Sequence, residues 1–129
     1  MGAASAFNAL EGKKYLSLET FKKSGAGVRT PVWFAADPAV GSKLYIYTVD
    51  STGKVKRIRN NGRVRVAPCD MRGNLQGDWM DAHAEIVTGS EAVQGTRLLN
   101  KKYWPAKQIM AFFAMFSPRK RIIIAISPA

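Results

Sequence analysis

Short runs that alternate apolar and polar residues recur along the chain, and turn residues separate most of them. This pattern constrains the fold more than any other feature. Tyr15 to Phe21 puts Leu16, Leu18 and Thr20 on one face and Tyr15, Ser17, Glu19 and Phe21 on the other, the period of a half-buried strand. Ser24-Gly25-Ala26-Gly27 follows, and glycine supplies the positive φ that a tight hairpin needs. Val28 to Ala36 is the second strand, with Val28, Thr30, Val32 and Phe34 on one face. Pro31 has no N–H for a ladder, so the backbone there belongs at an edge, a bulge or a ligand.

The turn from Asp37 to Ser42 leads into Lys43 to Val49, the third strand. Lys54 to Asn60 suits one or two helical turns, with Val55 and Ile58 inward and Asn61-Gly62 as the expected stop. Arg63 to Cys69 alternates again, with Val64 and Val66 inward and Arg63 and Arg65 outward. A turn at Arg72-Gly73-Asn74 precedes a fifth strand within Gly77 to Gly89. Ser90 is the expected N-cap of a helix reaching about Tyr103, and Pro105 opens another to about Phe116. Arg121 to Ser127 is apolar on both faces, as a strand covered on both sides would be. Six strands at hairpin spacing with late helices predict a mainly β fold, an antiparallel barrel with helices at its rim. So small a barrel has a packed interior, and a large ligand must bind outside it or at a subunit seam.

The 129 residues fit a single domain spanning 1–129. With 47% hydrophobic residues the chain is too apolar for a disordered tail. Its one cysteine, Cys69, excludes an intramolecular disulfide and a cysteine zinc cluster, and its one histidine, His83, leaves too few ligands for a histidine-rich metal site. The start MGAASAFNAL has no signal-peptide pattern, and it nearly matches a myristoylation pattern but carries Ala6 where the hydroxyl belongs. The longest apolar run, Ile109 to Phe116, is too short for a membrane span. A cytoplasmic protein without a membrane partner is the expectation.

The net charge is +11, and more than half of the excess lies between Lys43 and Arg72. There Lys43, Lys54, Lys56, Arg57, Arg59, Arg63, Arg65 and Arg72 face only Asp50 and Asp70. A solvated basic face is one account. The other is a phosphate site: Ser51-Thr52-Gly53 offers hydroxyls and free N–H groups at a helix start, with Lys54 and Arg57 beside it. No acid, base or nucleophile stands out as catalytic. His83 and Cys69 read as structural, and Asp78 and Asp81 alternate badly for a shared pair.

The ordered set KYLSLETFKKSG, RTPVWFA, LYIYTVDSTGKVKRIRNNGRVRVAPCDMRG and DWMDAHAEI resembles the pyridoxamine 5'-phosphate oxidase-like split β-barrel proteins, a family of flavin and deazaflavin oxidoreductases. The similarity is strongest to the coenzyme F-420-dependent class and runs from about Phe7 to the last strand. Asn61-Gly62-Arg63 departs from the Asn-Pro-Arg common in that class. The resemblance implies a six-stranded, FMN-binding-type split barrel that is a homodimer, with FMN or F-420 at the subunit interface. It implies that Thr30, Pro31, Val32 and Trp33 line the ring and that Tyr47, Thr48 and Ser51 follow the ribityl chain and phosphate. It assigns Lys54, Lys56 and Arg57 to the phosphate. Pro68 to Gly73, including Cys69 and Arg72, and Trp79 would close the site from the partner subunit.

Such a protein transfers hydride between the cofactor and a small organic substrate, and the cofactor ring performs the chemistry. Two alternatives stay open. One is a non-enzymatic flavin or deazaflavin carrier. The other is a basic nucleic-acid-binding domain, disfavoured because no aromatic is interleaved with the basic cluster.

Overall fold

Alternation along each strand, closed on itself, produces a barrel. The computed structural model describes residues 7–38, 42–49, 53–103 and 121–129. Its strands are β1 (Tyr15–Phe21), β2 (Gly27–Ala36), β3 (Leu44–Val49), β4 (Arg63–Cys69), β5 (Met80–Val87) and β6 (Arg121–Pro128). All pairings are antiparallel, and the barrel closes in the order β1-β2-β3-β6-β5-β4. Helix α1 spans Gly53–Asn60, helix α2 spans Gly89–Lys102, and a 3₁₀ turn covers Asn8–Leu10. No helix among the described residues is long and apolar enough to cross a membrane.

Leu16, Leu18, Phe34, Leu44, Ile46, Val64, Val66, Ile124 and Ile126 fill the barrel. Helix α1 adds Val55 and Ile58 to that core and packs against β1 and β5, plugging the end at which β1 finishes. Phe7 and, from the 3₁₀ turn that follows it, Leu10 join the core at the other end. On the outer wall, α2 covers β2, β3 and β6 through a second cluster that includes Tyr45, Leu99, Tyr103 and Ile123. The helix approaches closely at Gly95, where a Cβ would lie 2.9 Å from both Tyr45 and Ile123. Strand β6, with its inner face in the barrel and its outer face under α2, is covered on both sides as its sequence demands.

Two local expectations change. Helix α2 has Thr88 as its N-cap, and Ser90 lies inside the helix. Gly89 adopts φ +63°, which turns the chain into the helix before Ser90 is reached. Gly62 does not end α1 through a left-handed conformation, since it is absent from the positive-φ glycines. It is there for space: a Cβ would lie 2.5 Å from His83 Cε1 and 3.0 Å from the Ala84 carbonyl oxygen. The helix expected from Pro105 lies outside the described residues.

Candidate functional site

The functional geometry starts where the sheet is thinnest. Strand β1 pairs with β2 from Tyr15↔Trp33 through to Phe21↔Gly27, but β2 pairs with β3 only at Phe34, Ala35 and Ala36. Along Gly27–Trp33, β2 therefore has a strand on one side only among the described residues. Tyr103 fixes which way its main chain faces. The Phe34 N–H donates to the Tyr103 hydroxyl at 3.0 Å, and that hydroxyl lies 2.6 Å from the Lys14 carbonyl and 2.8 Å from that of Phe34. Main-chain groups alternate sides along a strand. With those of Phe34 turned towards β1, those of Trp33, Pro31 and Arg29 face the β3 side. Pro31 thus sits at an edge, where its missing N–H forfeits no ladder bond.

The same alternation splits the four ring-lining candidates. Thr30 and Val32 pair with Leu18 and Leu16 and point inward, and Val32 packs on the barrel core. Pro31 and Trp33 point outward. Trp33 stacks on Tyr103, with ring centroids 4.6 Å apart and planes 10° apart. Trp33 and Tyr47 both pack on the cluster beneath α2. Thr48 is buried at the end of the barrel that α1 plugs. Ser51 lies outside the described residues.

The cations of α1 converge on that same end. Arg57 Nε–H donates to Thr20 Oγ1 at 2.6 Å, which draws the guanidinium back over the start of its own helix. A Cβ on Gly53 would lie 2.7 Å from Arg57 Nη1, so glycine makes room for it. Burial, and then the neighbouring Arg57 charge, pull the Lys54 ammonium below the ordinary lysine range. No carboxylate among the described residues pairs with Lys54. Two half-buried cations at a helix start, with no carboxylate among the described residues paired to them, suit a phosphate. Lys56 is exposed, two residues along and on the other side of α1.

Cys69 ends β4 and Arg72 lies in the turn beyond it, within the stretch expected to close the site from a partner subunit. Cys69 is buried, and desolvation, then Asp70, push its thiol pKa up, which disfavours the reactive thiolate. Arg72 is exposed in a turn that Asp70 holds by accepting the Arg72 and Asn74 N–H groups. Trp79 lies beneath two guanidinium groups, with Arg29 at 4.8 Å and Arg65 at 4.9 Å from its ring centroid. Arg63 lies 4.8 Å from the Phe21 centroid. Aromatics are therefore interleaved with arginines after all, on the outer face of β1 and β4, which linear spacing conceals.

Three residues escaped the sequence reading. Tyr103 organises β2 from the far end of α2. Glu19, which pairs with Arg29 and Arg65, was legible in principle, because the hairpin register that sets Phe21 opposite Gly27 also sets Glu19 opposite Arg29. Lys102 holds its ammonium 3.5 Å from the Phe34 centroid, beside a cavity of about 380 Å³ that Phe7, Leu10 and Leu44 also line. Burial lowers its pKa to about 8. No group of histidine, cysteine, aspartate or glutamate among the described residues could hold a metal ion.

No protein-family model matches the sequence, and no curated protein matches it. Solved structures do share the fold. A candidate pyridoxamine 5'-phosphate oxidase from Listeria innocua superposes with a TM-score of 0.66 at 16% identity, covering 98% of this chain and 92% of that one. An FAD-binding protein from Mesorhizobium loti gives 0.62 at 15%, covering 99% and 88%. The heme storage protein of Vibrio cholerae gives 0.64 at 11%, covering 95% and 86%. The chain therefore has the split β-barrel fold of these proteins.

Proposed function

We propose that the chain is a flavin- or deazaflavin-binding split barrel that acts as an oxidoreductase on a small organic substrate, with FMN or F-420 held between the subunits of a homodimer. The observation that carries this reading is the edge of β2 that no strand among the described residues covers, together with the α1 cations Lys54 and Arg57, which pair with no carboxylate among the described residues. A ring system with alternating donors and acceptors fits the strand edge offered by the main chain of Arg29, Pro31 and Trp33. A phosphate fits Lys54 and Arg57. The FAD-binding neighbour supports this class of ligand on this fold.

Bound there, the cofactor would supply two-electron hydride chemistry. The chain's own part is positioning. The β2 edge orients the ring, Pro31 leaves its approach free of an N–H, and Lys54 and Arg57 neutralise the phosphate charge. The heme chemistry of one neighbour is less well supported, because the one histidine, His83, is exposed on β5 and packs against Gly62, away from β2.

The test is an absorbance spectrum and mass of any ligand released from the purified protein, followed by titration with FMN and with F-420. Binding of one of them, severely weakened by Lys54→Glu, is the expected result. If neither binds at micromolar concentration, the reading fails. Turnover of enones or quinones with reduced cofactor separates an enzyme from a carrier.

A further inference from the structure

Across the outer wall, β2, β1 and β4 place Arg29, Glu19 and Arg65 in one row, since Glu19 is in register with both arginines. The Glu19 side chain is 8% exposed. Arg29 Nε lies 3.0 Å from its Oε2, and Arg65 Nε lies 2.8 Å from its Oε1. Gly27 makes the arrangement possible, since a Cβ there would lie 2.8 Å from Glu19 Cδ. Trp79 then holds both guanidinium groups against its ring.

One buried carboxylate needs one cation, and this one has two. Asp81 of β5 stands opposite Arg65 in the register, but among the described residues no carboxylate other than Glu19 lies within 4.0 Å of either arginine. Arg29 donates its Nε–H to Glu19, whereas the buried Arg65 Nε, though 2.8 Å from Glu19 Oε1, makes no hydrogen bond with it, so that pair is held by charge. Arg29 is 55% exposed and Arg65 31%, so both are within reach of solvent. Glu19 and Trp79 have already fixed their orientation, so little side-chain entropy remains to be lost on binding.

We propose that Arg29 and Arg65 form an oxyanion site, separate from the cations of α1, that takes the phosphate or carboxylate group of a small organic ligand. The planar fork of arginine matches both groups in a bidentate manner. The proposal stands on the row itself and does not depend on which cofactor the chain binds.

Calorimetric titration of the whole chain with inorganic phosphate and, separately, with citrate tests it. The titrations use a Lys54→Ala, Arg57→Ala background, which removes both half-buried cations of the other candidate phosphate site. Binding of either anion persists in that background, and adding Arg29→Gln weakens it about tenfold, as losing one charge-assisted pair should. Arg29→Lys, which keeps the charge beside Glu19 but loses the fork, covers the case in which Arg29→Gln does not fold. Its expected loss is about threefold. Absence of binding up to about 10 mM, or binding unaffected by both Arg29 variants, overturns the proposal.

Discussion

Replacing Tyr103 with phenylalanine removes one oxygen atom and tests how β2 is held. The hydroxyl accepts from the Phe34 N–H at 3.0 Å and has one proton to share between the carbonyls of Lys14 and Phe34. Phe34 is 2% exposed, so water does not replace the lost acceptor. Stranding that buried donor costs about 1–3 kcal/mol, and the lost bond to a carbonyl adds about 1 kcal/mol. The ring itself stays stacked on Trp33, which confines the change to the hydroxyl. A total near 2–4 kcal/mol lowers the melting temperature by about 6–15 °C for a chain of this size. Urea or thermal unfolding followed by circular dichroism measures it. Because the hydroxyl also orients the β2 edge, affinity for FMN or F-420 falls with it. A variant that melts within about 2 °C of the parent would refute the idea that Tyr103 supplies what β1 cannot.

Gly62→Ala drives a Cβ into His83 Cε1 at 2.5 Å and towards the Ala84 carbonyl at 3.0 Å. A loss of about 2–3 kcal/mol follows, and His83→Ala restores only part of it, because the carbonyl stays; a double-mutant cycle reads the coupling. Lys102 has its folded pKa lowered to about 8 from 10.5. The unfolded chain therefore binds more protons between those values, and wild-type stability rises with pH across that window. Lys102→Met gains its largest advantage below pH 8 and loses it as pH approaches 10.5; denaturant midpoints of both proteins at pH 7 and 10 check this.

The strands were legible because a period of two leaves a local trace in sequence, and the apolar pair Val55 and Ile58 marked α1 in the same way. The basic cluster around Lys54 and Arg57 is visible in the sequence, and the fold sets both side chains at the start of α1. What escaped detection depends on residues far apart in sequence. Tyr103 meets Lys14 and Phe34 across 89 and 69 positions, and nothing near it announces a hydrogen-bonding hub. Gly62 was expected to serve its own helix, yet it makes room for a strand two turns of chain away. The four residues Thr30 to Trp33 looked like one motif, but the strand divides them between interior and exterior. Only their main chain can present a common edge.

That edge has a consequence for how the protein behaves in a crowded solution. A strand with free main-chain groups is a template on which another chain can add itself, the usual route to domain swapping and fibre growth. At Pro31 an incoming strand finds no donor, and Arg29, two residues away on the same edge, adds charge to the approach. A planar ligand loses little by the missing N–H, whereas a polypeptide loses its register. Pro31 thus acts as a filter on what may occupy the opening, and Pro31→Val should make the ligand-free protein more prone to self-association.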